Sequence, residues 1–417
     1  MKIFCAVRHS TNPKEYYGGL WSGNFYPALR QLGHEIVESK VDLLPASRFM
    51  HVAGDFTQEE IAVRAEITQR IIDEVRAAHR ERPIDSFLSY FYNAHFEPAG
   101  FDELRSLGVP SVNFYCNSIY QFPFVAEVAA KADWSWHAEK RARDLYLAVG
   151  ARPVWVQMAA DPAVYHPLPH ISKKPKACFV GQRYADRDRW MASLIRADIP
   201  VEIYGPGWGA AKSGRDNLVS SPSTAYLGRV QYAPGSGASY TASARQLFRN
   251  EGVVGGMMRL GKQIEYRRST RRLSPLFISR AKGAIPFQQI SEVFAAHEVV
   301  LNFSNVWADG RPGSNLIPHV RLRDFEAPMC RTCYLTGHTD EIEEFYEIGK
   351  EIDTYRTPQE LVEKTRFYLG NRDVAESLRM AGYERAQRDH TWVKRFEELF
   401  AKTGLRSAKK KSVSFSA

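Results

Sequence analysis

The sequence predicts an α/β protein made of two domains, each built on a parallel sheet, and three observations carry that. A chain of 417 residues exceeds what one ordinary core organises and suggests two domains of roughly 150 to 200 residues each. Short apolar runs of strand length alternate with stretches of helical period over residues 2–158, and the alternation starts again at Ala177; that is the pattern of β-α-β units. Between the halves, residues 159–176 read AADPAVYHPLPHISKKPK, rich in proline and basic side chains and without an apolar period, as an interdomain linker is.

Composition narrows the class. Hydrophobic residues make up 44% and charged residues 25% of the chain, the balance of a soluble globular protein rather than a disordered or membrane one. No uncharged apolar run reaches the length of a membrane span, and the opening MKIFCAVRHS reads as a first buried strand, too short in its apolar run for a signal peptide. Five scattered cysteines suggest reduced thiols and a cytoplasmic protein. Cys330 and Cys333 form a C-x-x-C, but no second pair or histidine cluster accompanies them, so no metal site is expected. The formal charge of +9 is concentrated in Arg259, Lys262, Arg267, Arg268, Arg271, Arg272, Arg280 and Lys282, and in Lys409 to Lys411 of the tail. A patch of that kind serves an anionic membrane surface, a phosphorylated substrate or plain solvation. Nucleic-acid binding has no other support and is not expected.

In the first half, residues 2–7 read as a strand, followed by a polar and aromatic loop with Tyr16, Tyr17, Gly18, Gly19, Trp21 and Gly23, glycines where backbone must approach a ligand. Helical spacing follows at 25–32, Gly33 stops it, and 35–41 is the next strand. The G-x-G-x-x-G fingerprint is missing, so NAD binding gains no support. Residues 57–82 are a long amphipathic helix with a capping box of Thr57 and Glu60. The strand 85–92 ends in Asn93, Ala94 and His95. After a helix at 101–107, the strand 109–115 ends in Cys116, Asn117 and Ser118. Strands 132–136 and 154–158, with the helix 138–149 between them, complete the set.

The second half opens with the strand of ACFVGQRYADRDRW, a loop at Gly181 and a helix from about Asp186. Residues 201–208 form a strand with a glycine-broken exit. Regularity fails over 210–274, which holds Gly235, Gly237, Gly252, Gly255 and Gly256 and an arginine-rich helix, and reads as a partly helical insertion. The pattern returns at 285–295 and 299–303. Residues 321–355 then compress a polar run, a helix beginning within 327–332, a strand at 333–335, an acidic amphipathic helix, an exposed Gly349 and Glu351 into half of a parallel α/β nucleotide site. In the polar run, an arginine fork reads phosphate and a carboxylate reads sugar hydroxyls; alternatively, Arg323 and Glu326 pair as a surface ion bridge. Residues 358–369 and 374–389 are amphipathic helices, 391–405 a last helix packing back toward the first domain, and 406–417 a disordered tail.

The order of signals over 177–400 resembles the C-terminal domain of group-1-type glycosyltransferases of the GT-B fold, in a branch related to the CgeB-like enzymes. The residues that carry the likeness are Arg323, Asp324, Phe325, Glu326, Ala327, Pro328 and Met329, then Gly349, Lys350, Glu351, Ile352 and Tyr355. Phe179 to Gly181 with Arg187, the YGPGW of Tyr204 to Trp208 and the HTW of His390 to Trp392 add to it. The first half matches more loosely, through its glycine stretch and the ADPAVYHP of Ala160 to Pro167.

The resemblance implies two Rossmann-like domains facing a central cleft, an acceptor domain at 1–165, a linker at 166–176 and a nucleotide-sugar domain at 177–390. It implies sugar transfer to an acceptor hydroxyl without a metal or other cofactor. Glu326 would hold the ribose, Arg187 and Arg323 would offset the diphosphate with help from backbone near Gly181, and Tyr204 to Trp208 would shape the nucleoside end. Glu351 belongs to the matched motif. On the residues themselves, Gly18, Gly19 and Trp21 would close over the diphosphate, stack a sugar, or form a simple turn and a core tryptophan. His95 and Asn117, past the ends of two strands, are the catalytic candidates, His95 as base of an inverting transfer or as a hydrogen-bonding partner of the donor in a retaining one. The acceptor would be a carbohydrate, a lipid-linked sugar or a protein. The family's second glutamate is Pro318 here, and a common glycine pair is Arg331 and Thr332. These departures leave the stereochemistry and the donor sugar open, and Pro318 keeps open an inactive sugar-binding or coat-type protein; a non-hydrolysing sugar-nucleotide epimerase shares the two-domain architecture and is the further alternative.

Overall fold

The computed structural model describes residues 1–10, 16–209, 237–310 and 312–405. Residues 210–236 of the expected insertion, Gly235 among them, and the expected tail at 406–417 lie outside the described residues. The chain divides into two compact units, one holding Met1–Gln157 and the segment that begins at Trp392, the other the described residues from Met158 to Thr391.

In the first unit, β1 (Lys2–Ala6), β2 (Glu35–Glu38), β3 (Ser86–Ser89), β4 (Ser111–Tyr115), β5 (Trp134–His137) and β6 (Pro153–Trp155) make one parallel sheet. Its order is β2-β1-β3-β4-β5-β6. The chain leaves β1 to one side and returns on the other, so β1 and β3 flank the switch point where α/β sheets bind ligands. The helix Gln58–Glu81 starts with the capping box of Thr57 and Glu60.

The expected glycine loop is a helix, Tyr16–Gln31, that runs through Gly18, Gly19 and Gly23. Trp21, Phe25 and Leu29 recur every fourth residue and are buried, with Trp21 against Phe114 at 4.6 Å and Phe25 against Trp136 at 5.3 Å between ring centroids. Each glycine costs the helix about 1 kcal/mol. Burying the aromatic stripe is worth roughly 1.5 to 3 kcal/mol per side chain, so the stripe wins. The helix Trp392–Thr403 belongs to the same core: Trp392 lies 5.0 Å from Phe25, and Phe396 lies 5.6 Å from Trp136.

In the second unit, β7 (Lys174–Val180), β8 (Val201–Tyr204), β9 (Ala281–Gly283) and β10 (His297–Asn302) precede a small antiparallel hairpin, β11 (Asn305–Trp307) with β12 (Leu316–Pro318). After it come β13 (Cys333–Gly337) and β14 (Asp353–Tyr355). The parallel sheet runs β14-β13-β10-β7-β8-β9. Strands step outward from β7 and then resume beside it at β10, so the switch point lies between these two.

Several elements differ from the sequence expectation. Strand β7 starts within the expected linker, and β9 and the hairpin were not anticipated, being three residues each. The described part of the insertion is one long helix, Gly237–Phe277, broken where Gly252 takes φ 70° and ψ 175°. The helix Arg323–Met329 starts four residues before 327. After β13 there is only a 3-10 turn, Asp340–Glu344, because the chain must reach Gly349, at φ 83°, and re-enter the sheet at Asp353.

Candidate functional site

The site grows from the carboxyl ends of β7 and β10. Gly181, just past β7, donates its N–H to the Tyr204 carbonyl and accepts from the Trp208 indole at 2.8 Å each. Gly205 sits at φ 131°, and a Cβ there would run into the Gly181 carbonyl. These glycines let two stretches of backbone approach each other. The loop that follows enters the helix Arg187–Arg196.

Arg187 is 7% exposed, its guanidinium lying 5.6 Å from the Phe179 ring and 5.7 Å from the Tyr184 ring. One terminal nitrogen donates to the Gln182 carbonyl at 2.9 Å, while Nε is buried without a partner. Arg321 has the same character: Nη2 donates to the Asn305 carbonyl at 3.2 Å, and its buried Nε makes no hydrogen bond. Neither guanidinium enters an ion pair among the described residues. Burial, and then the like charge of Arg321, push the Arg187 pKa down to about 9. The carboxylate of Asp186 stands near, but one oxygen is spent on the Trp190 indole at 2.8 Å and the Asn305 amide at 2.7 Å. A buried and a half-buried cation near each other, each with an unused buried donor, make a receptor for an anion.

Asp324 sets the position of Arg321. Its carboxylate is fully buried and accepts from the Arg321 backbone N–H at 2.7 Å, the Tyr334 hydroxyl at 2.8 Å, the Thr336 hydroxyl at 2.9 Å and the Asn302 amide at 3.2 Å. Burial raises its pKa, against the pull of those hydrogen bonds. Beside this network, at the carboxyl ends of β10, β13 and β14, a pocket of about 230 Å³ is lined by Trp190, Phe303, Ser304, Asn305, Pro318, Gly337, His338, Tyr355 and Arg356. Its lining combines aromatic rings with polar side chains, as in sites that take a flat, hydrogen-bonding ligand.

Glu326 does pair with Arg323, at 2.7 Å, but not as a surface bridge, since the glutamate is 4% exposed. Its other oxygen accepts from the Tyr165 hydroxyl at 2.7 Å, and burial followed by the Glu326 charge pushes the Tyr165 pKa well up. A carboxylate has about four acceptor positions, so two donors leave capacity for further hydroxyls. Arg323 is engaged here and over the Phe294 ring; the cation beside Arg187 is Arg321.

Other expected site residues are committed elsewhere. Tyr204 donates to Glu202 at 2.8 Å, and Trp208 is packed against Phe179 and Phe277, so both side chains belong to the sheet's own core. Glu351 accepts from the Glu347 N–H at 2.8 Å and closes the turn before β14. Gly18 and Gly19 lie in the first helix and form no loop. The buried Cys330 and Cys333 thiols are pushed up to about 12 by desolvation, and among the described residues no group of three metal-type ligands converges.

In the first unit, His95 is fully buried. Its Nδ1 accepts from the Tyr92 N–H at 3.0 Å, so Nε2 carries the proton and meets the Ser47 hydroxyl at 2.9 Å. Burial, and then His9, hold its pKa well down. No lone pair is left for a substrate proton, and the role of base does not fit it. Asn117 is half-buried at the end of β4, with no side-chain cap bond to the short helix it precedes. The sequence reading passed over His9, past β1 at the switch point, whose Nε2 pairs with the Tyr90 carbonyl at 2.6 Å and whose ring is 4.4 Å from that of His95. Desolvation pushes its pKa down to about 4. A histidine following the first strand was the available signal.

Residues 253–401 match the model of a family described as glycosyl transferase-like. No curated protein matches the chain. Among solved structures it is similar to sucrose-phosphate synthase from Thermosynechococcus elongatus (TM-score 0.53, 12% identity, 98% of this chain and 100% of that one). It is also similar to AviGT4, a glycosyltransferase involved in avilamycin A biosynthesis (TM-score 0.52, 14% identity, 97% of each chain). A third is HepE from Anabaena, in complex with UDP (TM-score 0.51, 11% identity, 97% of this chain and 100% of that one). HepE has also been solved with UDP-glucose. At these identities the likeness is one of fold, and that fold is GT-B.

Proposed function

We propose that this chain, a glycosyltransferase of the GT-B fold whose residues 253–401 belong to the glycosyl transferase-like family, moves a sugar from a nucleotide-sugar to the hydroxyl of a carbohydrate, lipid-linked or protein acceptor. The observation that carries the donor half is the pair Arg187, buried, and Arg321, half-buried, each with a buried Nε that makes no hydrogen bond and neither in an ion pair among the described residues. A nucleoside diphosphate brings the missing negative charge, and guanidinium forks match phosphate oxygens in geometry. Uridine nucleotides are the first to test, because HepE holds UDP and UDP-glucose.

In this reading the acceptor oxygen bonds to the anomeric carbon as the bond to the diphosphate breaks, and the hydroxyl proton leaves to the released diphosphate or to solvent. The electron pair of that bond passes to the diphosphate oxygen, where the arginines stabilise the growing charge. They do so without a cation, which makes the transfer metal-independent. Asp324 holds Arg321 in place, Glu326 accepts the ribose hydroxyls with its unused lone pairs, and the pocket beside Trp190 and Tyr355 receives the base. The free thiols of the cysteines suit the cytoplasm.

The test is release of nucleoside diphosphate from a panel of nucleotide-sugars, with hydroxyl acceptors and EDTA present. Turnover in EDTA that falls at least about tenfold in Arg187→Met is expected, the cost of one lost charge-assisted contact in the transition state. No binding and no turnover across the panel would overturn the reading.

A further inference from the structure

The helix Gly237–Phe277 carries a feature that the transfer site does not use. Past the break at Gly252, Val253, Val254, Met257 and Met258 are 68%, 73%, 64% and 63% exposed, a large share of apolar surface for one helix end. Further along, Ile264 and then Arg268, Arg271 and Arg272 are exposed. Val253, Ile264 and Arg271 are separated by about three and about two helical turns, so they stand on one line. The surface is therefore apolar for its first turns and cationic for its last. Arg268, Arg271 and Arg272 have no ion pair among the described residues, and the acidic residue of the stretch, Glu265, is answered by Arg189 at 3.3 Å.

We propose that this face docks on an anionic lipid bilayer, with Val253, Val254, Met257 and Met258 in the acyl boundary and Arg268, Arg271 and Arg272 against lipid phosphates. An occupant must be apolar at one end and anionic at the other, and the edge of an anionic bilayer has both within a few ångströms. A second copy of the chain fits less well: packed parallel, the helices set arginine on arginine, and packed antiparallel, they set arginine on methionine. No residue of the donor site takes part, so the proposal stands or falls apart from the sugar-transfer reading.

The test is flotation of the full chain with vesicles of phosphatidylcholine alone and with added phosphatidylserine, at low and high salt. The expected result is binding to the anionic vesicles only, weakened by salt. Met257→Ser with Met258→Ser, and separately Arg268→Gln, Arg271→Gln and Arg272→Gln together, each reduce it by at least about tenfold with an unchanged melting temperature. No vesicle binding by the native chain, or binding by both variants as strong as the native chain's, overturns the proposal. So does a wild-type dimer in solution that the serine variant dissolves, since a second copy then covers the face.

Discussion

Glu326 holds two donors inside the second unit, and its removal reaches both. In Glu326→Ala, the Tyr165 hydroxyl and the Arg323 guanidinium lose their acceptor, and breaking a mostly buried charged pair costs about 2 to 4 kcal/mol. Urea denaturation of that variant is expected to show the loss, together with weaker nucleotide binding. Glu326→Gln, which keeps an acceptor for Tyr165, is expected to lose about half as much. Equal stability of the alanine variant and the native chain would mean that the pair carries no net energy. At this scale the sequence was informative where a motif marks a residue: Arg187 and Glu326 stood out through the motifs that carry the family resemblance. Their neighbours did not. Tyr165 is 161 positions from Glu326, and nothing local says that Arg321 rather than Arg323 stands beside Arg187. For the same reason the surroundings of His95 were not legible: its place after a strand was, but the Ser47 hydroxyl that meets its ring comes from 48 positions away.

Among the elements, the turn after β8 makes the most direct prediction. Gly205 combines φ 131° with a Cβ position blocked by the Gly181 carbonyl, so Gly205→Ala is expected to lose roughly 2 to 3 kcal/mol through strain. It would also move the loop that leads to Arg187. A denaturation midpoint equal to the native one would refute the close approach. Strands and helices with a clear period could be read from the chain, as with the capped helix Gln58–Glu81. The glycine-rich first helix could not, because local propensity argued for a loop while the stripe of Trp21, Phe25 and Leu29 answered to Phe114 and Trp136, far along the chain. Strand β9, three residues with partly exposed side chains, has no pattern to read.

For the molecule as a whole, the last helix closes the first core. Trp392, 1% exposed, packs its ring on Phe25, Trp21 and Trp136, and Trp392→Ala is expected to cost about 3 to 5 kcal/mol, seen as an early unfolding step by tryptophan fluorescence. Two α/β halves and their parallel character followed from alternation and length. The strand orders did not, since they are set by crossovers that leave no mark on the linear pattern; yet those orders place β7 beside β10 and so bring Arg187 to Arg321. The most direct measurement of that meeting is a calorimetric titration of UDP and other nucleoside diphosphates into the native chain, Arg187→Met and Arg321→Met. The account predicts that either change weakens the bound nucleotide at least about tenfold while the melting temperature of the empty protein holds or rises, because an unanswered buried charge has been removed. Unchanged affinity in both variants would contradict it.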